Sequence, residues 1–480
     1  MDKMISKIYP VFLVGVFLFL MMATVRPSSA NQADAARPSP DQLQYEPLFF
    51  ELPKAHRVVL ENGIILYILE DHDLPLVTIN AFVKTGSMHD PAGKEGTAEL
   101  TAQVMRTGGT TRLSSREIDR QFDLIAASAS IAMAMESAHV GFSVLTTHLD
   151  KGLDLLSQIL IHPVFEQGKL ELARQLQLEE IRRIKDDPQK LAMREFSRLI
   201  YHQDPRGRFP SSASLTEIKR DDLTAFHSRF FLPNNIMFAV SGDITKEKAV
   251  EKIKQYFGGW NPKNSAADFP APVQQPQTGM YFIEKDIPQS TIISGQFATG
   301  KNHPDFHAFT VLDFIVGSGG FPSRIMSTVR NNEGLAYSAG SFYRARPDYG
   351  IFGSYAFTKT SSTMKALSLI NTVLENIKAV PVAGQELTWA QKSINDGFLF
   401  SFATPEQIVR QQMTIEYEKL PPDFLTSYRD KINRVTVQDL HHAAVKYLDQ
   451  TKNTVLILGD GKNPDHPLPP GGYTVIAPID

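Results

Sequence analysis

The sequence predicts a duplicated α+β chain, with two homologous mixed α/β domains joined by a proline-rich linker. Three observations point there. At 480 residues the chain is too long for one hydrophobic core. Two landmarks recur at nearly one offset: Pro75 in the first half corresponds to Pro288 in the second, each opening a strand-like run, and Asp222-Leu223 with Gly242-Asp243 recurs as Asp439-Leu440 with Gly459-Asp460. Between the copies, residues 261–279 carry Pro262, Pro270, Pro272 and Pro276 and almost no periodicity, which is linker composition. Strict strand–helix alternation is missing in both halves, so α+β fits better than a doubly wound sheet.

Taken in order, the chain opens with a basic start, Lys3 and Lys7, an apolar run at residues 9–25, and small residues Ser28, Ser29 and Ala30. That run is short for a membrane span and matches a cleaved export signal, residues 1–30, better than a signal anchor. The expected location is periplasmic or secreted. Residues 31–55 read as an extended, proline-containing arm. With no cysteine, an exported chain has neither a lipid-bearing Cys nor disulfides, and its cores alone must hold it. A net charge of -3 gives no reason to expect nucleic acid as a partner.

The first domain is expected over residues 56–260. Residues 57–60 and 64–68 read as strands around the turn Glu61-Asn62-Gly63, and 76–84 as a third strand. Residues 93–106 have helix-forming composition before Gly108-Gly109. Ser114 and Glu117 form a capping box for the next helix. Residues 140–145 read as a strand, 153–161 and 170–185 as helices, and 235–240 as a buried strand. The second domain is expected over residues 280–480.

The stretch 317–340 of the second domain, GSGGFPSRIMSTVRNNEGLAYSAG, carries the strongest chemical signal. Pro322 is expected at a first helical position, Ile325, Met326 and Val329 form an apolar face, and Asn331, Asn332 and Gly334 end the helix before a strand. Arg330 then sits at a helix end and Tyr337 at a strand mouth, seven residues apart. Converging, they offer two donors to a carbonyl oxygen gaining negative charge. The ordinary reading is a solvated Arg and a half-buried Tyr. Other candidates are weaker. His303 and His307 have ligand spacing, but Pro304 implies a structural turn. His441 and His442 are adjacent and face different ways on a helix. Neither a phosphate-binding Gly-Lys-Ser/Thr nor a nucleophile elbow occurs.

Four segments carry a family resemblance: LENGIILYILEDHDLPLVTINAFVKTGS (60–87), LQLEEIRRIKDDP (176–188), FFLPNNIMFAVSGDI (230–244) and VRNNEGLAYS (329–338). Over residues 57–460 the chain resembles the pitrilysin/insulinase-type zinc peptidases, which include the mitochondrial processing peptidases. The resemblance implies two homologous α+β domains per chain, forming half of a clamshell. It also implies a zinc helix bearing His-x-x-Glu-His, with a distant glutamate as third ligand. Here Glu99 stands at the first His position, Ala102 at the base and Gln103 at the second His, while Glu180, well downstream, keeps the third ligand position. Gln is a poor zinc ligand, and Ala102 cannot take a proton from bound water. No metal is expected in this chain. Glu99 and Glu180 are read as charged helix faces with at most a weak hold on a hard cation.

Arg330 and Tyr337 stand where the family places its substrate-carbonyl pair, although Glu333 occupies a commonly basic position. In two-chain members, one chain carries zinc and the other this pair. The resemblance therefore implies an exported, zinc-less subunit acting in trans beside a homologous zinc-bearing subunit, on peptides or unfolded proteins, and inactive alone. Two other readings stay open: a peptide-binding scaffold with no part in cleavage, and a self-sufficient hydrolase with an unusual metal site.

Overall fold

The computed structural model describes residues 51–263, 269–461 and 471–478. The expected signal segment, and the arm up to residue 50, lie outside the described residues. The first half begins with a hairpin, β1 (His56–Val59) and β2 (Ile65–Glu70), whose turn needs Gly63 at φ +92°. β3 (Leu76–Val83) follows as predicted. α1 (Thr97–Thr107) starts four residues later than the composition implies, because Gly93 and Gly96 hold φ of +79° and +105° and turn the chain first. Asp90 caps it, accepting from the Gly96 and Ala98 amides at 2.7 Å each. In α2 (Ser115–Leu124) only half of the expected capping box forms. Ser114 accepts from the Glu117 amide, but the Glu117 carboxylate turns to Arg120 and Gln121.

β4 (Ser128–Met133), which no sequence signal announced, and β5 (Ala138–Leu145) come next. Then follow α3 (Leu149–Ile161), α4 (Gln167–Ile184), α5 (Pro188–Ile200), α6 (Ser212–Glu217), α7 (Arg220–Phe230), β6 (Ile236–Gly242) and α8 (Lys246–Phe257). The six strands order as β1-β2-β6-β3-β5-β4, antiparallel except for β2 beside β6.

The second half repeats this plan. β7 (Gly279–Glu284) and β8 (Gln289–Ala298) lead to α9 (Phe306–Asp313), which runs on into a π-helical turn, Phe314–Ser318. A second π-helix, Met326–Asn332, precedes β9 (Ala336–Ala345) and β10 (Gly350–Lys359). Next come α10 (Thr363–Ala379), α11 (Gly384–Leu399), α12 (Pro405–Tyr417), α13 (Phe424–Arg434), α14 (Val437–Tyr447), β11 (Thr454–Gly459) and the short β12 (Thr474–Val475). The order β12-β7-β11-β8-β10-β9 matches the first sheet strand for strand from its second position, with β7 beside β11 parallel as β2 is beside β6. The edges differ: β1 pairs antiparallel with β2, whereas β12 pairs parallel with β7.

The repeated landmarks have physical roles. Pro75 and Pro288 each accept, through their carbonyls, the amide of the threonine that ends the partner strand, Thr146 at 3.0 Å and Thr360 at 3.2 Å. Asp222 and Asp439 each fold back onto the amide three residues earlier, Lys219 or Thr436, both at 2.8 Å, and Leu223 and Leu440 behind them are fully buried.

The halves also exchange a helix. α5 opens with Asp187-Pro188 and lays Leu191, Phe196, Leu199 and Ile200 on Ile293, Ile351, Leu456 and Leu458 of the second sheet. α12, at the corresponding place in the second half, opens with Thr404-Pro405 and lays Val409 and Met413 on Phe82, Met237 and Ala239 of the first. Between these crossings lies a buried charged hub. Arg206 bonds Glu136 at 2.5 Å, Asp204 at 3.1 Å and the Pro270 carbonyl at 2.6 Å, and Tyr349 donates to the same Glu136 oxygen at 3.1 Å. Residues 269–278 of the expected linker have no regular structure, and β7 begins at Gly279. Among the described residues no helix is long and apolar enough to cross a membrane.

Candidate functional site

The stretch 317–340 folds as a turn, a π-helix and a strand. Pro322 lies in the turn, where the Ser323 amide donates to the Gly320 carbonyl, and not at a first helical position. The apolar face is as read: Ile325 and Val329 are fully buried and Met326 nearly so. The helix is wider than expected, with i→i+5 geometry over Met326–Asn332, a form frequent at functional sites. It ends where the Gly334 and Leu335 amides reach back to the Arg330 and Val329 carbonyls, with Gly334 at φ +63°.

This path brings the predicted pair together. The Arg330 guanidinium carbon stands 5.5 Å from the centre of the Tyr337 ring. It also stands 4.9 Å from the Phe321 ring, a contact that sequence reasoning missed. Tyr337 is 79% exposed and Phe321 61%. Arg330 forms no ion pair among the described residues, and Glu333 turns away to Lys365 at 2.7 Å. A guanidinium with aromatic walls, no carboxylate and a neighbouring phenol has donors available for an external carbonyl or carboxylate oxygen. The platform beneath is firm: Arg324 makes a bidentate pair with Glu386 at 2.8 and 2.9 Å, and Ser341 of β9 donates to the buried Asp313 at 2.6 Å. Burial pushes the Asp313 carboxyl up to about 6.

The four positions expected to be a ruined metal site lie on α1 and α4. Gln103 Nε2 donates to Glu99 Oε1 at 3.3 Å, and Ala102 is fully buried. Burial first, and the nearby Glu180 charge second, push the Glu99 carboxyl above its ordinary value. Gln103 Oε1 and both amide atoms of the buried Gln177 have no hydrogen-bond partner among the described residues. Two carboxylates and an amide, without imidazole or thiolate, do not fit zinc, and Ala102 supplies no base. Among the described residues no group of three or more His, Cys, Asp and Glu gathers as metal ligands.

Of the other candidate histidines, His303 and His307 are held in local packing. His303 Nδ1 accepts from the Asp305 amide, and Lys446 and Tyr447 fix Asp305. His307 sits among Phe306, Phe424 and Tyr428, where burial lowers its pKa to about 4. His441 and His442 are both exposed on α14.

The insulinase pattern, peptidase family M16, matches residues 67–209, and that of the peptidase M16 inactive domain matches residues 217–393, together more than half of the chain. An uncharacterized zinc protease of Rickettsia felis (strain ATCC VR-1525 / URRWXCal2) is 27% identical over 301 residues, 62% of this chain and 72% of that protein. The non-peptidase homolog YmxG of Helicobacter pylori (strain ATCC 700392 / 26695) is 22% identical over 410 residues, 85% of this chain and 94% of that protein. The crystal structure of a peptidase M16 inactive domain from Pseudomonas fluorescens superposes with a TM-score of 0.77 at 22% identity, covering 86% of this chain and all of that one.

Proposed function

Because the chain belongs to the insulinase-type M16 peptidase family, we propose that it is the zinc-less subunit of a two-chain peptidase, inactive alone and supplying Arg330 and Tyr337 in trans. The observation that carries this reading is an asymmetry within one chain. The Arg330 and Tyr337 side chains stand side by side with donors free, while the positions of the family's zinc helix hold Glu99, Ala102 and Gln103. A homologous zinc-bearing partner would hold the metal, which would supply the activated water. This chain's residues bind and orient: Arg330 and Tyr337 donate to the scissile carbonyl of a peptide or unfolded protein, where negative charge develops. The basic start, apolar run and small residues before position 31 support export to the periplasm or beyond. The inactive-domain pattern and the non-peptidase relative support inactivity of the isolated chain.

Co-purification from the native host tests the pairing. A homologous chain bearing His-x-x-Glu-His is expected to accompany this one, and chelator-sensitive cleavage of unfolded peptides is expected only from the mixture. Robust chelator-sensitive cleavage by this chain alone would refute the reading. A pure chain that binds peptides but never meets such a partner would point instead to a peptide-holding scaffold.

A further inference from the structure

We infer that Phe321 is a specificity-determining residue: with Tyr337 it walls the Arg330 guanidinium into a slot that takes an aromatic or large aliphatic side chain of an extended peptide. This rests on the peptide-holding role proposed above and names the side chain that role selects.

Among the described residues Phe321 stands outside the apolar cores of both halves, and it is 61% exposed. Its ring touches the guanidinium at 4.9 Å, and much of its surface remains open to solvent. One exposed phenyl is ordinary, but Phe321 and Tyr337 are two exposed rings gathered on one guanidinium, a contiguous aromatic patch of the kind that marks a binding surface. It is also held. Pro322 restricts the backbone of the residue before it to extended conformations. Asn331 Nδ2 donates to the Phe321 carbonyl at 3.2 Å, tying the ring to the helix that carries Arg330. Ser323 Oγ donates to the Gly320 carbonyl at 2.6 Å, and the Arg324–Glu386 pair pins the segment to α11. Gly320, at φ +77°, makes the turn that sets the ring against Arg330. A ring fixed before binding loses little entropy on contact.

The slot's chemistry follows from its walls. Two exposed aromatic rings contact a cation that has no carboxylate partner among the described residues. The N–H edge of Arg330 suits a peptide carbonyl, and the ring faces suit an apolar side chain on the adjoining residue. An acidic side chain would reach Arg330 without using the rings, so charge alone does not explain them.

The test uses the full chain and fluorescent decapeptides of Gly, Ser and Ala, carrying either Phe or Ala at one varied position, with affinity read by anisotropy. At the best position the Phe peptide is expected to bind about tenfold tighter than the Ala peptide. In Phe321→Ala that ratio falls toward one, chiefly through loss of the Phe peptide, and Phe321→Trp restores it. Equal losses for both peptides in Phe321→Ala would mean that the ring only shields Arg330, and would overturn the inference. An unchanged ratio would do the same. Either result leaves the peptide-holding role standing. Should the unaltered chain bind neither peptide, that role falls and this inference with it.

Discussion

Arg330 lies against two aromatic rings, one of them an exposed phenol, with no acidic partner among the described residues, and the proposed role rests on that combination. Arg330→Lys keeps the charge but gives up the planar stack and the paired N–H edge. In a reconstituted pair its turnover should fall nearly as far as that of Arg330→Ala; a Lys variant within about threefold of the unaltered chain would show that charge alone suffices. A helix end and a strand start seven residues apart made the approach of Arg330 and Tyr337 an option in the sequence, and the tight stop at Gly334 realises it. Glu99, Ala102 and Gln103 stood out only through the family resemblance, because by themselves they read as an ordinary helix face. Phe321 was not legible in the sequence. Its ring meets Arg330 across a turn, nine residues away, and no periodicity reports such a contact. Nor could spacing reveal that Asp90 would be buried as the cap of α1, its carboxyl pushed up to about 7 chiefly by desolvation.

At the scale of elements, the decisive join is between the π-helical turn Phe314–Ser318 and β9. A Cβ on Gly317 would collide with the Ser341 amide nitrogen and stand 2.7 Å from the Gly340 carbonyl carbon. The strand that carries Tyr337 rests on that bare backbone. Gly317→Ala should therefore lower stability by about 2–3 kcal/mol and weaken peptide binding with it, measured by thermal unfolding and anisotropy on the same sample. Unaltered stability would mean that β9 can shift at no cost. Long strands and helices were readable from alternation and from 3.6-residue spacing. The π-helices were not, because Ile325, Met326 and Val329 fit an α-turn and a π-turn alike. β4 escaped because Ser-Ala-Ser-Ile-Ala-Met is made mostly of small residues, and its inner face carries only Ile131 and Met133 as large apolar side chains.

For the whole molecule, duplication was legible in two repeated landmarks, yet the exchange of α5 and α12 between the halves was not. Both helices begin at Pro and have apolar faces, but nothing local says whose sheet each covers. Their crossing packs a helix of each half on the sheet of the other, near Arg206, whose side chain is 1% exposed. Arg206→Ala would leave Asp204 without its cation and Glu136 with only the longer contact to Arg346 at 3.5 Å. It should cost about 3–5 kcal/mol and split or broaden the thermal transition; a sharp, unshifted transition would show that the hub does not join the halves. A chain held together this way can offer a partner a fixed Arg/Tyr edge. The most direct test measures turnover and complex formation together for Tyr337→Phe in the reconstituted pair. That change removes one exposed hydroxyl and leaves the ring against Arg330. Loss of one oxyanion donor typically costs about 2.7–4 kcal/mol, so turnover should fall on the order of a hundred- to a thousand-fold with undiminished complex. Turnover equal to that of the unaltered pair would mean that the phenol takes no part in holding the scissile carbonyl.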